Sequence, residues 1–505
     1  MRGRGGIGRR CRLKIGFHRS AGSSPAVRTI AAVALLALGG CQRRPDTGAV
    51  VVSAIGQPPS LANVERGVAD LPSRLLADST AQGLVRFDAA GQIEPGLAQR
   101  WTVIDDGMSY IFRLREATWA DGAPVTAEQV VAILRRQLRR TTRNPLTPYL
   151  TAIDEIVVMT PQVIEVRLSR PRPDLLKLFA QPEMAMIRFS QPSGSGPMRV
   201  SAGGRAPLLR PALDPDRAEP DDARESPPEE DVRLIGERAA RAIARFANRQ
   251  SDLVSGGTFV DWPLLATAKI APANIRIDPA AGLFGLAVVD RSGFLGDVTN
   301  RLVVAQAIDR TALTGALGAA WTPADHILPE PLDSAAPPAV PAWTLLTQAQ
   351  RVEGARAQVA RWTDGPVRLR VAMPAGPGAT MVYGHIAASL VAIGITPERV
   401  AINAAADLRL VDAVAPYDSA RWYLATACVA CGEAAQAALE AARGAPTLAE
   451  RATAIAQADR AIDADVAFIP LARPLRWSLV ARRLAQWQPN ARAWHPLNRL
   501  RLDTK

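Results

Sequence analysis

Cys428-Val429-Ala430-Cys431 is the arrangement in this chain whose residue types and spacing most directly suggest chemistry. Two thiols separated by two residues, after an apolar run and ahead of a helical pattern, can form a redox-active pair, because a helix N-terminus lowers a thiol pKa. In an oxidising compartment the same spacing closes into a short structural disulfide, and a metal site would need more ligands than these two. His18, His326, His385 and His495 carry none of the spacings of a zinc enzyme, so no metal is expected. No Gly-x-Ser-x-Gly elbow occurs, and Gly376-Pro377-Gly378-Ala379-Thr380 lacks the lysine that a phosphate loop requires. The remaining chemistry is recognition without catalysis and without a cofactor. Arg421, Trp422 and Tyr423 would give a ligand one charge and two aromatic faces, with Asp418 nearby and Trp262 as a further aromatic face. The competing reading of Trp422 is a core strand residue, since aromatics at alternating strand positions usually pack.

The elements that would position these residues alternate between strand and helix. After the N-terminal segment, Val50–Ile55 reads as a strand and residues 71–83 as a helix. Residues 83–138 then form short strands with explicit turns. Asp88-Ala89-Ala90-Gly91, Asp105-Asp106-Gly107 and Asp121-Gly122 supply the turns, and Tyr110, Phe112 and Leu114 alternate. Thr126-Ala127-Glu128-Gln129 is a capping box that opens a helix with Val130, Leu134 and Leu138 on one face. Two strands follow at residues 153–159 and 163–168, then a short helix at 174–179. Residues 233–248 carry Ile235, Ala239, Ala242 and Phe246 at helical spacing, and 275–277 and 283–289 read as strands. Further strands are expected at 367–372, 400–403, 408–411 and 419–426, the last rich in aromatics. Helices are expected at 381–393, 428–443 and 448–463, with Thr447 and Glu450 as a second capping box. Strands alternating with helices mean an α/β protein with crossover connections.

Composition narrows the function. The formal charge of +12 suggests a nucleic-acid partner, but residues 1–40 hold eight Lys or Arg and no acid. Without them 52 basic residues face 48 acidic ones, a net of +4, and no basic patch interleaved with aromatics appears. No nucleic-acid partner is expected. Residues 1–40 read as a secretory signal: Arg28 precedes the apolar run Ile30–Leu38, which is too short to span a bilayer. A start at Val27 gives a compact signal, so residues 1–26 are expected not to be translated. Leu38-Gly39-Gly40-Cys41 resembles a bacterial lipobox, which implies lipidation at Cys41 and a membrane tether over 41–50. Pro211–Glu230, with eight acidic and two basic residues, five prolines and no apolar periodicity, reads as a mobile surface loop.

The order of motifs in residues 83–138 resembles the extracytoplasmic solute-binding proteins of ABC importers that take peptides, opines or nickel. Gly83-Leu84-Val85, Phe87-Asp88, Pro95-Gly96-Leu97-Ala98, Trp101, Asp105-Asp106-Gly107, Tyr110, Phe112, Leu114-Arg115, Trp119, Asp121-Gly122 and Thr126-Ala127-Glu128 carry it. Ala307-Ile308-Asp309-Arg310 at the end of a helix is a second signature, about 180 residues on. The resemblance implies a two-lobed, type II periplasmic-binding-protein fold with an extra side domain in lobe one. Lobe one would span 51–262, with the side domain at about 75–190; lobe two would span 263–465. Residues 466–505 would return to lobe one, through Val466–Leu471 as the return strand.

The implied function is capture of a small peptide-like or apolar solute between the lobes, and delivery to the permease of an ABC importer at the periplasmic face of a bacterial membrane. The alternatives are a thiol-disulfide protein using Cys428 and Cys431, or a divergent member with a structural or sensory role. Departures from the family pattern keep the last open: Leu61-Ala62-Asn63 stands where Leu-Asp-Pro is usual, and Met198 replaces a Tyr. In peptide-binding members a Trp-Cys-x-Asp loop holds the ligand's free amine. The resemblance sets Ala427, Cys428 and Ala430 there, so that counter-charge is missing unless Asp418 or Glu433 substitutes.

Overall fold

Two separate sheets form the frame of the molecule, one in each lobe. The structure is a computed structural model, and it describes residues 47–61, 67, 69–139, 141–188, 194–212, 227–318 and 321–501. The first sheet has seven strands in the order Ile275–Asp278, Arg476–Val480, Leu253–Thr258, Val50–Ile55, Val232–Glu237, Leu208–Pro211, Met198–Ala202. Val50–Ile55 is central and runs parallel to both of its neighbours. Val50, Val52 and Ala54 on one face, and Ser53 on the other, are all buried, as expected of a strand covered on both sides. The second sheet has five strands in the order Thr396–Ala401, Arg368–Met373, Leu408–Val414, Gly282–Val288, Phe468–Ala472. Its interior strand Gly282–Val288, paired on both sides, is buried along its whole length.

Along the chain, between the first strand and the other strands of the first sheet, comes a smaller antiparallel sheet, ordered Ala98–Ile104, Ser109–Leu114, Val163–Leu168, Ile153–Thr160. The helix Ala127–Gln137 covers it, opened by the reciprocal Thr126–Gln129 capping box read from the sequence. Tyr110, Phe112 and Leu114 alternate into its core, and Gly91 and Gly107 take the positive φ values, 74° and 86°, that their turns require.

Several elements differ from the sequence reading. Residues 419–426 are not a strand: Ala420–Ala427 is a helix, and the next one opens only at Glu433. The adjacent Trp and Tyr suggest a strand, whereas the Ala, Arg and Leu around them favour helix once one face can be buried. The run 233–248 is a strand, Val232–Glu237, followed by the helix Ala239–Ala247. Gly236 has a role there, since a Cβ at that position would stand 1.8 Å from the Gln57 carbonyl oxygen. Ile275–Asp278, expected in lobe two, belongs to the first sheet, so the chain first crosses at 278–282 instead of 262. Phe468–Ala472 pairs with Gly282–Val288 in the second sheet, and the return to the first sheet is made by Arg476–Val480. The second crossing follows the buried apolar strand Phe468–Ala472, which suits either sheet, and the first follows the short, half-exposed Ile275–Asp278, so composition did not separate them. The signal segment, Cys41 and most of the acidic loop lie outside the described residues.

Candidate ligand-binding site

A space of about 310 Å³ lies where the two sheets meet. Lobe one contributes Leu71 and Arg74 from the helix Leu71–Thr80, Phe87, Gln181, and Gly256 and Thr258 from the strand Leu253–Thr258. Lobe two contributes Val414, Ala415 and Pro416, where the strand Leu408–Val414 ends. Arg476, Arg492, Ala493 and Trp494 close it from the C-terminal segment. Gly256 is required for this floor. The strand's pairing with Arg476–Val480 slips between Val254 and Gly257, Gly256 takes φ +89°, and Leu71 approaches to where a Cβ would lie 2.3 Å from its Cδ2.

The electrostatics of the lining are one-sided, for it holds three arginines and no carboxylate. Each arginine is held from behind by an acid. Arg74 Nε lies 2.6 Å from Glu183, and its guanidinium stacks 4.9 Å above the Trp494 ring. Arg476 Nη1 donates to both Asp412 oxygens at 2.8 and 3.1 Å, and burial raises the Asp412 pKa against the lowering by Arg476. Arg492 donates to the Ala415 carbonyl at 2.6 Å and pairs with Asp418; burial pushes its pKa down to about 10.

Direct contacts tie the lobes across this space. Gln181 Nε2 donates to the Pro416 carbonyl at 2.6 Å. Asp418 in lobe two pairs both with Lys177 beside the side domain and with Arg492 of the C-terminal segment. Asp418, expected as a ligand carboxylate, thus serves as a latch between lobes.

The other expected site residues stand elsewhere. Trp422 and Tyr423 are 5% and 1% exposed, touch edge to face at 5.0 Å, and belong to the large core rather than to the space's lining. Arg421 is buried beside them and also does not line it. Trp262 packs against Trp477 at 6.5 Å near the crossing. Cys428 and Cys431 are joined as a disulfide with Cα atoms 5.2 Å apart. Cys428 caps the C-terminus of Ala420–Ala427 and Cys431 precedes Gly432, the N-cap of the next helix, so the pair links two helices instead of following a strand. The Ala430 carbonyl accepts from Arg291, well along the second lobe, so Ala427–Cys431 is not the loop that enters the space. That loop is Ala415–Pro416, twelve residues earlier than Ala427. His495 is buried against Asp278 at 3.2 Å, and among the described residues no three His, Cys, Asp or Glu side chains gather as metal ligands.

The residues the sequence reading missed are Arg74, Gln181, Arg476, Arg492 and Trp494. One signal for their loop was present: Pro416, two residues past the end of the strand Leu408–Val414, breaks the chain before 419.

Comparison with known proteins bears on this two-lobed arrangement. The family model described as bacterial extracellular solute-binding proteins, family 5 Middle, matches residues 92–409. The chain belongs to this family. Among curated relatives, the probable deoxycholate-binding periplasmic protein YgiS of Escherichia coli is 43% identical over 70 residues, 14% of this chain and 13% of its own length. The periplasmic oligopeptide-binding protein OppA of Escherichia coli is 30% identical over 135 residues, 23% of this chain and 25% of its own. The glutathione-binding protein GsiB of Salmonella typhi is 30% identical over 153 residues, 28% and 30%. These aligned stretches cover under a third of each relative. Solved structures extend the likeness in fold to nearly the whole chain. The murein tripeptide binding protein MppA of Escherichia coli superposes with TM-score 0.75 at 17% identity, covering 90% of this chain and 98% of that one. NikA of Brucella suis gives 0.71 at 16% identity, covering 89% and 99%. Family 5 proteins are extracytoplasmic binding proteins, and no described helix here is long and apolar enough to cross a membrane.

Proposed function

We propose that this protein captures a small solute between its two lobes and presents it to the permease of an ABC importer, held at the membrane by a lipid on Cys41. The observation that supports this most is the space lined from both lobes and latched by Gln181, Asp418 and Arg492. A solute touching both walls favours the closed state, because its contacts exist together only there.

The lining also bears on the ligand class. The relatives named above bind, by their names, oligopeptide, murein tripeptide, glutathione and, for the probable case, deoxycholate. Here Arg74, Arg476 and Arg492 face the space together with Leu71, Phe87, Val414 and Trp494, and no acid does. An ammonium carried into such a space stays unpaired, which costs several kcal/mol. A carboxylate meets charge-assisted donors, and an apolar body meets Phe87 and Trp494. We therefore infer a solute with a carboxylate and substantial apolar surface, and weak binding of peptides with a free N-terminus.

The test is a melting scan of the mature protein against free and N-acetylated di- to pentapeptides and against deoxycholate. A ligand at a hundred times its Kd stabilises by about 2.7 kcal/mol. Shifts with acetylated peptides or deoxycholate support the reading. A shift confined to free-amine peptides refutes it and implicates a carboxylate not among these lining residues.

A further inference from the structure

A second charged centre lies behind the latch. Arg172 precedes the short helix Leu175–Phe179 at the side domain, Arg421 lies in the helix Ala420–Ala427, and Arg451 lies in Leu448–Asp465. They are 5%, 7% and 5% exposed. Among the described residues, Nε and Nη2 of Arg172, Nε and Nη1 of Arg421, and Nε and Nη1 of Arg451 are buried with no hydrogen-bond partner. The Tyr417 hydroxyl, on a residue 1% exposed, has none either. Each of the three arginines lies within the field of the others, and that repulsion adds to burial in lowering the pKa of Arg172 and Arg421.

The local acids do not balance this charge. Asp333 is already committed. Its Oδ2 accepts from Arg451 Nη2 at 2.7 Å and from Ser419 Oγ at 2.9 Å, while Oδ1 accepts from the Ala420 amide at 2.7 Å. Asp174 shares the field of Arg451 with Lys177 and Arg492, and burial raises its pKa to about 6. Three guanidiniums against one committed carboxylate leave an excess of two positive charges. Water can satisfy N–H groups but cannot neutralise that excess, and like charges buried without a counter-ion are strongly unfavourable. Six nitrogens and one hydroxyl, arriving from three segments, offer more donors in more directions than a planar carboxylate can accept.

We propose that Arg172, Arg421, Arg451 and Tyr417 form a binding site for a tetrahedral inorganic oxyanion, of the phosphate or sulfate type, between the side domain and lobe two. The edge-to-face contact of Tyr149 with Tyr417, centroids 5.7 Å apart, brings the two parts together at this point. The site is assembled from both parts, so the bound anion joins them and favours the closed arrangement whichever solute fills the space between the lobes.

The experiment compares melting of the mature protein, without solute, in phosphate, in sulfate and in chloride at one ionic strength and pH. Phosphate or sulfate should raise the midpoint by at least about 2 °C over chloride, saturating with concentration. Arg421→Gln and Tyr417→Phe should each abolish or greatly reduce that difference. The sign in chloride is a second readout that a merely structural cluster would not give. Without the oxyanion, removing one of three repelling charges relieves the fold, so Arg421→Gln should melt no lower than the wild type in chloride, and lower than it in phosphate. Equal midpoints in all three salts would overturn the proposal. So would an anion shift that survives in both variants, since it would arise elsewhere on the surface. Tyr417→Phe loses one hydroxyl only, and keeps the test valid if Arg421→Gln fails to fold.

Discussion

Replacing Asp418 by Asn should loosen the closed arrangement of the lobes without unfolding either. Asp418 pairs with Lys177 and with Arg492, and both links cross between lobes. Its side chain is 40% exposed, as is 28% of Lys177, so that pair is screened and worth at most about 1 kcal/mol. Arg492 is only 6% exposed, which moves its pair toward the buried class, where losing a partner costs about 3–5 kcal/mol. Its remaining bond to the Ala415 carbonyl and the solvent around Asp418 offset part of that. Taking about 2 kcal/mol for the whole change, the closed-to-open ratio should fall about 30-fold. Asp418→Arg should go further, since it sets a third cation beside Lys177 and Arg492. Small-angle scattering of the solute-free protein reads this as a larger radius of gyration, in the order wild type, Asp418→Asn, Asp418→Arg. Raising the salt should move the wild type toward the Asn variant, because only the exposed part of the latch is screened. Superimposable profiles for all three proteins would refute the latch.

Other predictions concern the anchor, the cysteines and pH. Cys41→Ser should move the protein from the membrane pellet to the soluble extracytoplasmic fraction on cell fractionation, because a multiply acylated terminus is a stable anchor and its removal leaves none. Alkylating the denatured mature protein without reductant should add no label at Cys428 or Cys431 by mass, and the Cys428→Ser/Cys431→Ser pair should change stability little, since so short a loop removes little unfolded-chain entropy. Burial raises the Asp78 pKa to about 6 from 3.8, against the lowering by Arg86 and Arg74. The folded state therefore holds that proton more tightly, and its contribution is complete below about pH 4 and lost as pH rises through 6. Asp78→Asn does not titrate, so its stability relative to the wild type should grow by about 3 kcal/mol between pH 4 and 7 in urea titrations. A gap that stays constant over that range would place the carboxylate in contact with solvent.

The sequence alone determined what local chemistry specifies. Turns at Asp88–Gly91 and Asp105–Gly107 need Gly in the left-handed region, the Thr126–Gln129 box needs its own two side chains, and Tyr110, Phe112 and Leu114 need only a period of two. These depend on residues a few positions apart, so the side domain and the family were legible from the order of motifs. The long-range pairings were not. Phe468–Ala472 and Arg476–Val480 are both largely buried strands, and only the partners waiting in each sheet decide that the first stays in lobe two. Trp422 and Tyr423 look like a ligand wall in sequence, but a helix buried by its neighbours turns them into core. The residues around the ligand space come from positions 71–87, 181, 256–258, 414–416 and 476–494. No period or spacing links them. They meet only because the crossings bring the two separately paired sheets together, and burial there decides which charges are paired and which are left facing one another.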